Sequence, residues 1–300
     1  MNDFDLKGLG VALVTPFKHD KTIDFDALEN LIEHLIDNKV DFLVVLGTTG
    51  ETPTLSESEK IILRKFVRET VAGRVPLVLG HGGNNTAEIV EALKTDITEG
   101  YDAVLSVVPP YNKPSQEGMY CHYAEIAKAS PLPVVLYNVP GRTGVNMTAE
   151  TTLRLANDFK NIIGIKEASG NFTQIEEIIK NKPDSFQVIS GDDGITYPLM
   201  TLGAVGVISV IGNAFPLQFG KMVGLCLDGN FAEALPIHFR FTELFNLMFV
   251  DGNPAGVKCT LNALGMIENE LRLPLVPTRL STNEKIHSIL TALHSDSFND

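Results

Sequence analysis

Residues 162–170 read IIGIKEASG, an apolar run that ends in a lysine and leads into a glycine-containing turn. The run lacks alternation of polar and apolar positions, as is typical of a parallel strand buried on both faces. A lysine carried inward by such a strand tends to lose its proton, because an isolated buried charge is costly, and the resulting neutral amine attacks ketones. The alternative is that Lys166 reaches solvent beside Glu167.

Seven similar runs accompany this one, and helical segments lie between them. The eight predicted strands are 10–14, 42–46, 77–80, 103–107, 134–137, 162–166, 187–190 and 205–210. Candidate helix starts are Asp24, Ser56 with Glu59 as a capping box, Asn85 or Thr86, Ser115 and Thr148. Eight alternating units predict a closed (β/α)8 TIM barrel. A doubly wound open sheet is the alternative, but the turn after the first strand lacks the glycine-rich pattern of that fold.

Strand patterns stop near residue 230, and the remaining sequence is helical in pattern. Candidate helices cover residues 231–249, 256–266 and 283–293. The sequence therefore predicts a barrel with the active site over residues 1–230 and a C-terminal helical extension over residues 231–300.

The composition narrows the range of partners. The 300 residues are 44% hydrophobic and carry a formal net charge of -13, which disfavours nucleic-acid and membrane-surface binding. The three cysteines are widely spaced, as suits a reducing cytosol, and no run approaches the roughly 20 apolar residues of a membrane span. We therefore expect a cytoplasmic protein whose partners are small molecules or further copies of itself.

Chemically competent side chains fall where the predicted strands end. The turn GTTGE at 47–51 offers hydroxyls and backbone N–H groups for a carboxylate, although an ordinary βα turn would look similar. Tyr137 ends an aliphatic strand, as either a proton shuttle or a core tyrosine. Arg142 follows on a glycine-rich loop and could clamp a carboxylate, or be a solvated surface residue.

The sequence gives little support for a metal site or for a serine hydrolase. Asp192 and Asp193 are adjacent, but no HxH or HExxH pattern occurs, and Asp192 is better placed as a helix cap. No GxSxG motif is present. The sequence thus predicts neither a metal site nor a serine nucleophile.

Five ordered motifs resemble those of the dihydrodipicolinate synthase family, pyruvate-dependent class I aldolases related to N-acetylneuraminate lyase. They are GTTGE at 47–51, PPYNKPSQEG at 109–118, YNVPGRTG at 137–144, GIKEASG at 164–170 and SGDDG at 190–194. The similarity runs from the first strand through LRLPLVP at 271–277. It implies the same barrel with C-terminal helices, and no cofactor beyond a covalent imine.

The resemblance also implies a reaction. Lys166 forms a Schiff base with pyruvate, loss of a methyl proton gives an enamine, and this carbon attacks the aldehyde of L-aspartate 4-semialdehyde. Tyr137 is then proton donor and acceptor, with Thr49 and Tyr111 completing a relay to solvent. In the family this last tyrosine enters the neighbouring subunit, which implies a homotetramer built as a dimer of dimers.

Substrate contacts are implied in the same way. Thr48 and Thr49 hold the pyruvate carboxylate, and Arg142 receives the carboxylate of the semialdehyde. Gly191 and Ile208 line the pyruvate pocket.

Two other functions stay open at this level. One is a lyase for sialic acid or a 2-keto-3-deoxy sugar acid, although Arg142 suits a short substrate with its own carboxylate better than a polyhydroxylated chain. The other is a non-catalytic barrel that binds a keto acid.

Feedback control is expected to differ from that of lysine-inhibited members. Asn84 and Glu88 match their lysine-binding Asn and Glu. However, Glu57 and Lys60 occupy the helix that carries the regulatory histidines, and Pro110 replaces a tyrosine. Because Lys60 would repel an incoming ammonium, we predict weak or absent inhibition by L-lysine.

Overall fold

In the computed structural model, which describes residues 4–295, eight parallel strands close into a barrel. Each strand pairs with its neighbour in the chain, and the first pairs with the last. The strands are β1 Gly8–Ala12, β2 Phe42–Val45, β3 Leu77–Gly80, β4 Ala103–Val107, β5 Val134–Asn138, β6 Ile162–Glu167, β7 Gln187–Ser190 and β8 Gly206–Ser209. The predicted TIM barrel is confirmed.

The helices between the strands form the outer layer, and further helices follow the barrel. They are α1 Phe25–Asp37, α2 Glu57–Val71, α3 Thr86–Leu93, α4 Gln116–Ala129, α5 Pro140–Thr143, α6 Ala149–Asp158, α7 Phe172–Asn181, α8 Thr196–Leu202, α9 Pro216–Leu227, α10 Phe231–Leu247, α11 Ala255–Ala263 and α12 Leu280–Ser295. No helix in the described part of the chain is long and apolar enough to cross a bilayer.

Side-chain oxygens begin the helices at the predicted positions. Asp24, Ser56, Asn85, Ser115 and Thr148 each accept a hydrogen bond from a backbone N–H in the first turn of α1, α2, α3, α4 and α6. Ser56 and Glu59 form the expected capping box. Because the first backbone N–H groups of a helix lack partners within it, each cap stabilises its helix by about 1 kcal/mol.

The strands are buried on both faces, and alternate residues belong to two apolar clusters. On β5, Val135 and Tyr137 belong to the cluster inside the barrel, whereas Val134 and Leu136 belong to the larger cluster under the helices. On β6, Ile165 lies in the outer cluster. Because side chains alternate along a strand, Lys166 points to the barrel interior.

Glycines close the barrel between β1 and β8. Gly8 pairs with Gly206, and a Cβ on Gly206 would lie 2.1 Å from the carbonyl oxygen of Gly8. With this pairing, β1 begins at Gly8, two residues before the start of the predicted range 10–14.

The predicted C-terminal helices are present as α10, α11 and α12. Residue 230 falls between α9 and α10, but the division into 1–230 and 231–300 stays a prediction, and residues 1–3 and 296–300 lie outside the described residues. Ion pairs connect the C-terminal extension to the barrel. Lys258 on α11 forms a fully buried ion pair with Glu51 at 2.5 Å, and Arg272 pairs with Glu59 at 2.5 Å.

Candidate active site

A cavity of about 940 Å³ opens at the carboxyl ends of the strands. Residues that end or follow β2 to β8 line it, which is the face where TIM barrels carry their active sites. Eight residues singled out in the sequence are among those that line it: Thr48, Thr49, Asn84, Glu88, Tyr137, Arg142, Lys166 and Gly191.

Lys166 lies inside this cavity, next to Tyr137. The two residues are partners in the register of β6 and β5, and the Lys166 Nζ is 4.4 Å from the centre of the Tyr137 ring. Both side chains are buried, with Lys166 only 6% exposed. No hydrogen bond or ion pair reaches the Lys166 amine from any residue between 4 and 295. The amine is therefore available to a ligand in the cavity.

The Glu167 side chain does not enter the cavity with Lys166. It points to the other side of β6, where it is 0% exposed and accepts hydrogen bonds from Asn138 at 2.7 Å, Gln174 at 3.0 Å and the Ser169 backbone N–H at 3.1 Å. Burial raises the pKa of the Glu167 carboxyl. The alternative of a lysine reaching solvent beside Glu167 is therefore wrong, since consecutive strand residues face opposite sides.

Gly191, just after β7, leaves the space that the lysine occupies. A Cβ at this position would lie 3.0 Å from the Lys166 Cε and 2.8 Å from the Ala168 Cβ. A side chain at this position would therefore displace Ala168 or the lysine stem.

The threonines belong to a short 3-10 turn, Thr48–Gly50, directly after β2. Thr49 is 3% exposed, and its Oγ1 accepts a hydrogen bond of 3.0 Å from the Asn253 Nδ2. The turn ends at Glu51, whose backbone is left-handed (φ 53°) and whose carboxylate meets Lys258. Burial lowers the pKa of Lys258 to about 8, against the opposing effect of the Glu51 charge.

Sequence reasoning missed Asn253 and Lys258. Asn253 stands 204 residues from its partner Thr49, in the sequence Gly-Asn-Pro, which by itself indicates only a turn. Lys258 lies within a helical pattern and shows no charge partner nearby in sequence. Neither residue carries a local signal, because both partners come from the far end of the chain.

Arg142 lies on α5 at the exposed edge of the cavity. Its guanidinium has no hydrogen bond or ion pair to any described residue. A free planar donor at the mouth suits a second anionic group entering from solvent.

Two predicted site residues are not among those that line the cavity. Tyr111 is 87% exposed in a left-handed conformation (φ 72°), and its backbone N–H donates to the Thr143 carbonyl at 3.2 Å. Ile208 is buried inside the barrel, in the same apolar cluster as Tyr137. Within one subunit the structure therefore brings neither residue to the cavity surface.

The cavity extends toward α2 and α3. Lys60 and Glu57 form an ion pair of 2.7 Å there, and Glu88 accepts a hydrogen bond of 2.7 Å from the Asn85 amide. The described residues contain no group of three His, Cys, Asp or Glu side chains that could hold a metal ion. Around Lys166 the cavity offers an amine, hydroxyls and a guanidinium, while its carboxylates Glu57 and Glu88 lie toward α2 and α3.

The chain is similar to known proteins over nearly its whole length. Residues 5–293 match the model of the dihydrodipicolinate synthetase family. The 4-hydroxy-tetrahydrodipicolinate synthase of Phocaeicola vulgatus is 66% identical over 288 residues, which cover 96% of this chain and 97% of the relative.

Solved structures agree as well. The dihydrodipicolinate synthase of Thermotoga maritima has a TM-score of 0.93 at 42% identity and covers 95% of this chain and 98% of its own. A structure described as the first monomeric dihydrodipicolinate synthase variant has a TM-score of 0.92 at 42% identity, over 95% of this chain and 96% of its own. This chain therefore belongs to the dihydrodipicolinate synthetase family of class I aldolase-type enzymes.

Proposed function

We propose that this chain condenses pyruvate with L-aspartate 4-semialdehyde through a Schiff base on Lys166, as the 4-hydroxy-tetrahydrodipicolinate synthase step of lysine (diaminopimelate) biosynthesis. The observation that carries the proposal is the Lys166 amine. It is buried, has no anionic partner among the described residues, and lies 4.4 Å from the Tyr137 ring in a cavity of about 940 Å³. Such an amine is suited to attack a ketone.

The first step joins Lys166 to pyruvate. The amine attacks the ketone carbon and water leaves, which gives a protonated imine that draws electrons from the adjacent methyl group. Loss of a methyl proton then gives the enamine, whose carbon attacks the semialdehyde carbonyl. Ring closure by the substrate's own amine releases Lys166. No metal or organic cofactor is needed, since the imine itself is the electron sink.

Proton transfers accompany several of these steps, and Tyr137 is the residue that we assign to them. Its ring faces the Lys166 Nζ, and the residue lines the same cavity. Thr49 and Tyr111 complete the proposed relay to solvent. Because Tyr111 is exposed and absent from its own cavity, we propose that it serves the cavity of a neighbouring subunit, within a homotetramer.

The two substrate carboxylates are proposed to bind at opposite ends of the cavity. The turn that carries Thr48 and Thr49 is proposed to hold the pyruvate carboxylate, while Arg142 at the mouth holds the carboxylate of the semialdehyde. Gly191 leaves room beside Lys166, and Ile208 supports the pocket from the barrel interior. Fixing both substrates by their carboxylates positions the enamine carbon for attack.

Borohydride reduction in the presence of pyruvate tests the proposal. We expect a stable adduct on the peptide that contains Lys166, and none without pyruvate or in Lys166→Met. Lys258 provides an internal control, since it is also buried but is paired with Glu51. A protein that gives no adduct on the Lys166 peptide does not use this mechanism. Rates with the semialdehyde, N-acetylmannosamine and sugar-derived aldehydes then identify the second substrate.

A further inference from the structure

We propose that Asn253, in the C-terminal extension, orients the Thr49 hydroxyl so that its hydrogen points into the cavity and is donated to the substrate carboxylate. The inference rests on the function proposed above. Asn253 is a positioning residue here, because it acts through Thr49.

The hydrogen bond between the two side chains sets the direction of the hydroxyl. Asn253 Nδ2 donates to Thr49 Oγ1 at 3.0 Å, and both residues line the cavity while being only 5% and 3% exposed. A threonine hydroxyl has one hydrogen to donate. Since Thr49 Oγ1 accepts from Asn253, its own hydrogen stays unused, and no described residue accepts it.

The amide orientation follows from the cost of unpaired groups. Asn253 Oδ1 is buried without a protein partner. With the amide reversed, the buried NH2 group would hold two unpaired donors, whereas a carbonyl oxygen without a partner is tolerated more often. Reversal would also direct the Thr49 hydrogen toward Asn253 and away from the cavity.

Asn253 is held firmly enough to act in this way. Its neighbour Asp251 pairs with the Arg279 Nε at 2.6 Å and accepts from the Arg279 backbone N–H at 3.1 Å. On its other side, a Cβ on Gly256 would lie 2.3 Å from the Leu247 carbonyl oxygen, so α11 is packed directly on the end of α10. The loop between these helices therefore presents Asn253 at a fixed place.

A second tie supports the same turn. Lys258, one turn along α11, forms its buried ion pair with Glu51, two residues after Thr49. The extension thus contacts this turn through Asn253, through Lys258 and through the Arg272 backbone N–H, which donates to the Glu51 Oε2 at 3.0 Å. Only the Asn253 contact involves a hydroxyl that faces the cavity.

The Asn253→Ala variant tests the inference, because it removes the amide without changing the charge of the site. We expect the KM for pyruvate, and the pyruvate concentration that half-saturates borohydride trapping, to rise by about tenfold, since one oriented hydrogen bond to a charged group is weakened. Trapping reports binding alone, whereas any fall in kcat reports the separate place of Thr49 in the proposed relay. Asn262→Ala is the matched control. This asparagine lies on α11 and donates to the Ile267 carbonyl at 2.9 Å, so its loss should leave both values unchanged.

A double-mutant cycle with Thr49→Val separates positioning from general damage. If Asn253 acts through the Thr49 hydroxyl, Asn253→Ala adds less than about twofold to the KM in the Thr49→Val background. A full additional tenfold rise there, or an unchanged KM in Asn253→Ala alone, overturns the inference.

Asn253→Asp is the second variant if Asn253→Ala does not fold. The carboxylate has the same shape but accepts the Thr49 hydrogen, so we expect a larger rise in KM that diminishes as the pH is lowered. An unchanged KM in this variant overturns the inference as well. If the wild-type protein traps pyruvate and the Asn253 variants have an unchanged KM, only the role of Asn253 is refuted. If the wild-type protein traps no pyruvate, the proposed function itself is refuted.

Discussion

At the scale of single residues, the neighbours of Lys166 keep other charges and side-chain atoms away from its amine. The strand turns Glu167 away, Tyr137 covers the amine with a ring face, and Gly191 has no side chain to compete with the lysine for space. Each of these keeps a competing charge or atom away from the Nζ. An amine that is neither ion-paired nor crowded is the group most readily converted into an imine.

Gly191→Ala should damage the site without unfolding the barrel. The added Cβ would push on the Lys166 Cε and the Ala168 Cβ, and overpacking of this kind costs about 1–3 kcal/mol. If the lysine yields, kcat/KM for pyruvate falls by about 10- to 100-fold. Gly224→Ala on α9 is the control, since no atom lies within 4 Å of its added Cβ. Equal activity of the two variants would contradict the role given to Gly191.

At the scale of elements, the turn after β2 depends on a helix from the far end of the chain. Glu51 ends the turn in a left-handed conformation, and its only cationic partner among the described residues is Lys258 on α11. A buried ion pair is costly to break, because removal of one charge leaves the other without compensation.

Lys258→Met should therefore reduce the free energy of unfolding by about 3–5 kcal/mol, measured by urea denaturation. Glu51→Gln combined with Lys258→Met should recover part of this loss, since no charge is then left buried. A double variant less stable than Lys258→Met would show that the cost has another origin.

The cavity region between α2 and α3 carries the prediction about regulation. Lys60 adds a positive charge there, and Glu88 is already bonded by Asn85. We expect L-lysine to inhibit weakly or not at all, because its ammonium groups meet the Lys60 charge and the Glu57 carboxylate beside it is already paired with Lys60. A submillimolar inhibition constant in a steady-state assay would overturn this expectation, and Lys60→His tests whether the site regains affinity.

At the scale of the whole molecule, Tyr111 is the one proposed catalytic residue that does not line the cavity of its own chain. Tyr111 is the most exposed large apolar side chain described, at 87%, and its left-handed backbone holds it outward. A tyrosine so placed contributes to catalysis only if a second copy of the chain receives it.

Complementation between two inactive variants tests this arrangement. Subunits with Tyr111→Phe keep Lys166, and subunits with Lys166→Met keep Tyr111, so a mixed dimer contains one complete site. Random mixing should restore up to about a quarter of wild-type activity. Mixtures that stay as inactive as their components would show that Tyr111 acts within its own subunit, or not at all.

The amino-acid sequence by itself determined the barrel and singled out the proposed nucleophile. Eight apolar runs with helix caps between them specify strands and helices through local periodicity, and Lys166 is recognisable because it ends one of these runs. The boundary of the first strand differs from the prediction, since the pairing of Gly8 with Gly206 depends on contact between the two ends of the barrel.

Only the tertiary structure decided what surrounds the site. The contacts of Asn253 with Thr49 and of Lys258 with Glu51 each join residues more than 200 positions apart, and no local pattern encodes such a pair. The separation of Lys166 from Glu167 likewise depends on which face of β6 lies inside the barrel. Periodicity specifies the elements, but the partners of buried polar groups are chosen only when the folded chain brings them together.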